Sequence, residues 1–152
     1  MGISFRASNA SGDRPAADGR FWYALDRSIL HQSGYAILGP PASEMFADLP
    51  PADIRALIVD ALRWWIAQPT PSDDRPAPGS EDAVLGACRS LVRIRHGVWL
   101  SKDAAGRRLR DAGTASELID RCLQARRGGP PPSGPEARAF QQQVLDRVLA
   151  LA

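Results

Sequence analysis

A chain of 152 residues with 44% hydrophobic and 24% charged side chains is long enough for one enclosed core and has the composition of a globular domain. A net charge of +2 excludes a general nucleic-acid binder, which needs a strongly basic surface to neutralise phosphates. No apolar run approaches the roughly 20 residues of a membrane span, and Met1 leads into polar sequence rather than the apolar stretch of a signal peptide, so a cytoplasmic protein is expected.

Residues 1–18, rich in Ser, Asn, Gly, Asp and Pro, hold no sustained period and are expected to form a disordered tail. Residues 19–152 read as one all-α domain, a small bundle of five to six helices with no period-2 strand and no internal repeat. The first helix is expected from Gly19 to Gln32, with Phe21, Trp22, Leu25 and Ile29 inward and Ser33-Gly34 as its stop. Tyr35 to Leu38 is a short apolar piece, extended or buried, halted by Gly39-Pro40-Pro41. Ala42 to Ala47 reads as one helical turn anchored by Met45 and Phe46.

Pro50-Pro51 introduces a strong helix over Ala52–Ala67. Ile54, Leu57, Ile58, Ala61, Leu62 and Trp65 share its core stripe, while Trp64 lies about a quarter turn away, at a border where it either packs or meets a ligand. The proline-rich loop 68–80 carries Asp73 and Asp74 and cannot continue either flanking helix. Ser80 is the expected N-cap of a helix running to His96, with Glu81 and Asp82 at the positive end of its dipole.

That helix is the centre of the chain. Val84, Leu85, Cys88, Leu91 and Val92 form its core stripe, and Arg95 joins it by laying down its aliphatic stem. Asp82, Gly86, Arg89, Arg93 and His96 form a second strip alongside. The chain reverses at Gly97, and Ser101 caps the next helix with Lys102 in its first turn. Either the second strip is an ordinary solvated face, or Arg89 and Lys102 converge on one anion. Beyond it, Lys102–Ala112 is expected to turn Ala105, Leu109 and Ala112 inward, and Thr114-x-x-Glu117 has capping-box spacing for a helix whose apolar residues are Leu118, Ile119, Cys122 and Leu123. After a Gly/Pro linker, Pro135 opens a last helix burying Ala137, Phe140, Val144, Leu145, Val148 and Leu149. Cys88 and Cys122 are expected as buried free thiols, and with His31 and His96 they make no metal-ligand spacing.

The run Ala83-Val84-Leu85, Cys88-Arg89, Gly97 and Ser101-Lys102-Asp103 resembles the carboxy-terminal helical domain of the aminoglycoside adenylyltransferases, enzymes that adenylylate streptomycin and spectinomycin. Gly34 to Pro41, Ser43-Glu44-Met45-Phe46 and Pro50 to Asp53 are similar to the segment joining the two domains of that family, and Ala56-Leu57 to Trp64 to the helix that follows. The resemblance spans Phe21 to Arg127. It implies ATP and magnesium as cofactors, Arg89 and Lys102 as ligands of the ATP phosphates, and Trp64 as a contact to the antibiotic. It also implies Asp73 or Asp74, and Asp82 or Glu81, as acidic ligands of a polycationic aminoglycoside or aminocyclitol. Where the family has a Tyr near the phosphates, this chain offers Arg126.

The family's catalytic domain carries Gly-Ser, an Asp-x-Asp that holds magnesium and a Glu base. The only Gly-Ser here, Gly79-Ser80, leads into a helix, and no Asp-x-Asp occurs. The expectation is therefore a truncated, split or remnant form that is inactive by itself and is completed by a separate nucleotidyltransferase domain. The alternative is a non-catalytic helical module for an anionic ligand or a protein partner.

Overall fold

Residues 21–151 are described by a computed structural model, and the regular elements among them are helices alone. These are α1 (Phe21–Ser33), α2 (Ala42–Met45), α3 (Pro51–Ala67), α4 (Ser80–His96), α5 (Lys102–Asp111), α6 (Ser116–Ala125) and α7 (Gly134–Ala150). The all-α expectation holds, as six long helices and one of four residues. Pairing of extended backbone is limited, among the described residues, to one isolated bridge between Pro76 and Ser133. The tail expected at 1–18 lies outside the described residues.

The apolar stripe of α4 decides the architecture. Val84, Leu85, Cys88, Leu91 and Val92 are fully buried, because α3, α5, α6 and α7 all pack around this one helix. Close approach needs a small residue at the crossing with α5. A Cβ on Gly106 would lie 2.6 Å from Leu85 Cδ2, so any larger residue here would force the buried Leu85 side chain to shift. Cys88 and Cys122 are free and buried, and loss of solvent pushes both thiols up to about 12.

The helix ends follow local chemistry, with two corrections. Gly79, not Ser80, caps α4: its N–H donates to the Glu81 carboxylate at 3.1 Å, and Ser80 Oγ instead donates to the Pro132 carbonyl at 2.6 Å. That bond ties the start of α4 to the linker before α7. The expected capping box at Thr114–Glu117 is absent; Ala115 occupies the cap position in the left-handed region at φ 44°. The box belongs to Ser133–Glu136, where the serine accepts from the Glu136 amide and the glutamate accepts from the Ser133 amide. A hydrogen bond from Arg121, with those from Ser133, holds the Glu136 carboxyl down at about 2.

A left-handed alanine carries a steric cost that glycine avoids. Ala115→Gly is therefore expected to raise stability by about 0.5–1 kcal/mol, read as a higher urea midpoint at unchanged slope.

Several expected core residues lie at the surface because their helices outrun the bundle or their loops stand off it. Tyr35, Ile37 and Leu38, in the piece expected to be extended or buried, are exposed (Ile37 95%). Met45 is exposed too, and Ala42 anchors α2 instead. Arg95 and Ala112 face water near the ends of α4 and α5, and Leu149 does so at the end of α7.

Candidate functional site

The site begins with a clasp around Trp99, in the short segment between α4 and α5. Gly97 reverses the chain at φ 69°, with its N–H bonded to the Arg93 carbonyl at 2.9 Å. Gln32 on α1 then grips the Trp99 backbone from both sides. Its amide donates to the Trp99 carbonyl at 2.8 Å and accepts from the Trp99 N–H at 2.6 Å. The indole Nε1 donates to Ser28 Oγ at 3.0 Å, and that hydroxyl donates to Asp48 at 2.7 Å. Trp99 is left only 6% exposed.

Two guanidiniums lie on the fixed indole. Arg93 sits 5.4 Å from the ring centroid and Arg89 5.8 Å, inside the range of cation–π attraction. Arg93 is also neutralised, with Asp48 at 3.6 Å and a hydrogen bond to the Gly97 carbonyl. Asp48 is held below the usual carboxylate range; its burial opposes this, but hydrogen bonds from Ser28 and the Leu49 amide and the charge of Arg93 outweigh it. Arg89 differs. Among the described residues it has no hydrogen bond and no ion pair. Burial lowers its pKa, offset by the fields of Asp26 and Asp82, yet a guanidinium keeps its charge in any such setting. Arg89 lines a cavity of about 80 Å³.

The opposite wall of that cavity is charged as well. Lys102 heads α5 beside Gly86, whose missing Cβ would lie 4.0 Å from Lys102 Cε, and its Nζ lies 3.4 Å from Asp82 Oδ1. Asp82 is also bonded by Arg126, whose Nε lies 2.7 Å from Asp103. Ser101 Oγ accepts from the Ala104 amide at 3.1 Å, as its cap spacing predicts. Trp22, Trp65 and Trp99 supply the aromatic lining.

Of the residues expected at a site, Arg89, Lys102 and Asp82 share this cavity. Trp64 does not line it. It packs edge-on against Phe21, Trp22 and Trp65, with ring centroids 6.0, 6.1 and 5.1 Å away. Trp65 is the tryptophan of α3 that reaches the cavity, and it is 39% exposed rather than a core residue. Glu81 is turned to the Gly79 amide. Asp73 pairs with Arg75 at 2.6 Å in the exposed loop, and Asp74 is exposed beside it; neither lines the cavity.

Phosphate oxygens suit an unpaired guanidinium beside an ammonium. No three His, Cys, Asp or Glu side chains cluster to hold a metal among the described residues. No helix among the described residues is long and apolar enough to cross a membrane.

Trp99 and Gln141 were not singled out by the sequence reading. A tryptophan two residues past a Gly turn and two before a cap signals an anchored indole. Gln141 falls on the same stripe as Ala137, Phe140, Val144 and Val148, and a polar residue on a core stripe is itself a signal.

Comparison with protein-family models, curated proteins and solved structures found no match to this chain.

Proposed function

We propose that this chain is the substrate- and nucleotide-contacting helical domain of an antibiotic-resistance nucleotidyltransferase of the aminoglycoside adenylyltransferase type. Arg89 and Lys102 hold the triphosphate of ATP, a polycationic drug approaches through the Asp82 side, and a separate nucleotidyltransferase domain provides the metal ligands and base. The observation that carries this reading is the Arg89 guanidinium, unpaired among the described residues, laid on Trp99 and lining one cavity with Lys102. Magnesium, arriving with ATP, would neutralise charge as the nucleotidyl group transfers. A non-catalytic module is the second reading, favoured by the exposed apolar run Tyr35, Ile37 and Leu38, which offers a protein-binding surface.

The test is titration with ATP and with inorganic tripolyphosphate, followed by amide NMR. Millimolar binding is expected, with shifts at residue 89 and at 101–104. Arg89→Ala is expected to weaken both ligands about tenfold or more, the worth of one charge-assisted contact. Unchanged affinity in Arg89→Ala overturns the assignment. Incubated with ATP, magnesium and streptomycin or spectinomycin, these 152 residues alone are expected to yield no adenylylated drug; multiple turnover would overturn the need for a second domain.

A further inference from the structure

Gln141 stands at the junction of two cavities. The one that holds Arg89 and Lys102 is about 80 Å³, and a second of about 160 Å³ lies along the start of α7 and the 68–80 loop. Gln141, Trp65 and Ala83 line both. The Gln141 side chain is 4% exposed, on the core face of α7 between Phe140 and Val144. Among the described residues it makes no side-chain hydrogen bond.

Gln141 is not among the described residues whose side-chain polar atoms are sealed without a partner, so its amide stays open to hydrogen-bond a ligand in the cavities that it lines. An amide offers two donors and two acceptor sites on one flat edge. Gln141 shares the lining of both cavities with the part-exposed indole of Trp65. The second cavity continues with Pro69 and Pro78, which are apolar, and with Thr70 and Gln68, which are neutral and polar. Arg138, its one cation, is engaged with the Gln68 carbonyl. The chemistry therefore changes along the cleft, from cationic at Arg89 and Lys102 to neutral, flat and donor–acceptor at Gln141 and Trp65.

We propose that Gln141 is a ligand-binding residue that reads the base of a nucleotide. The base stacks on Trp65 and reaches into the second cavity while its phosphates lie on Arg89 and Lys102. This rests on the phosphate assignment made above and extends it. Adjacent donor and acceptor atoms on one edge of a base match an amide in two-bond fashion, and an indole face accepts any base. A sugar phosphate shares the anion and the hydrogen-bonding groups but has no face to stack.

The test compares ATP with inorganic tripolyphosphate, and ribose 5-phosphate with inorganic phosphate, on the whole chain and on Gln141→Leu, which roughly keeps side-chain volume and removes the amide. ATP is expected to bind about tenfold tighter than tripolyphosphate, and Gln141→Leu to erase that difference while leaving tripolyphosphate unchanged. NOEs from the adenine H2 and H8 protons to Trp65 and Thr70 are expected in the wild-type complex. Gln141→Glu, nearly the same shape, repeats the measurement should the leucine variant fold poorly, and is expected to lose the ATP preference as well. Tripolyphosphate binding with no gain for ATP overturns the proposal and leaves the phosphate site standing. So does a gain shared equally by ribose 5-phosphate over inorganic phosphate, or an ATP preference that survives both substitutions. Failure of tripolyphosphate to bind overturns the phosphate site and this proposal together.

Discussion

Trp99→Ala is expected to destabilise the domain by about 3–5 kcal/mol, the cost of emptying a tryptophan-sized volume in a core, and to remove most of the anion affinity at the same time. The indole has three separate duties: it fills space between α1 and α4, it donates to Ser28 within the Ser28–Asp48 pair, and it is the surface on which Arg89 lies. Only the last concerns the ligand. Trp99→Phe separates them, since it keeps a ring face and loses the Nε1 donor. It is expected to cost about 1–2 kcal/mol and to hold tripolyphosphate affinity within about threefold of wild type, near 0.7 kcal/mol. Urea melts and tripolyphosphate titration read the two effects independently. If Trp99→Ala, at a temperature where it remains folded, binds tripolyphosphate as wild type does, then Arg89 needs no aromatic platform.

This double role also shows where sequence reasoning stops. The helix Ser80–His96, the Gly97 reversal and the Ser101 cap were legible because period, turn and cap are properties of a few neighbouring residues. The clasp was not, because Gln32 and Trp99 are 67 positions apart and nothing local to either demands the other. The capping boxes show a subtler limit. Thr114-x-x-Glu117 and Ser133-x-x-Glu136 have the same spacing, but after α5 the chain turns through a left-handed Ala115, so Thr114 does not sit at the cap. At Trp64 and Trp65 the stripe misled, because Trp64 packs against the core and Trp65, expected in it, is exposed; a stripe gives direction and not depth. At the end of α3 the inward face meets a cavity instead of a core, and the residue expected to be buried becomes the one that lines it. Gln141, by contrast, was readable: its place on the stripe of α7 was plain in the spacing.

Asp82→Asn is expected to move the two classes of ligand in opposite directions, and this separates the phosphate assignment from the drug assignment. In the folded protein Asp82 is the carboxylate within the cavity, held by Lys102 and Arg126. A phosphate entering beside Lys102 meets its repulsion, whereas a polycationic aminoglycoside meets its attraction. One unit charge at about 4 Å is worth between about 1 and 4 kcal/mol across the range from water to a protein surface, so roughly tenfold in either direction is a modest expectation. The asparagine variant should thus bind tripolyphosphate about tenfold more tightly and streptomycin about tenfold more weakly, a swing of about a hundredfold in their ratio. Fold stability should change by no more than about 1 kcal/mol, because the three side chains are partly exposed and such pairs contribute little. Both affinities should converge toward those of wild type as salt is raised, since the effect is one of charge. Tighter tripolyphosphate with unchanged streptomycin would keep the phosphate site and remove Asp82 from drug recognition; weaker tripolyphosphate would mean that Asp82 orients Lys102 for the anion, and that positioning outweighs repulsion in this cavity.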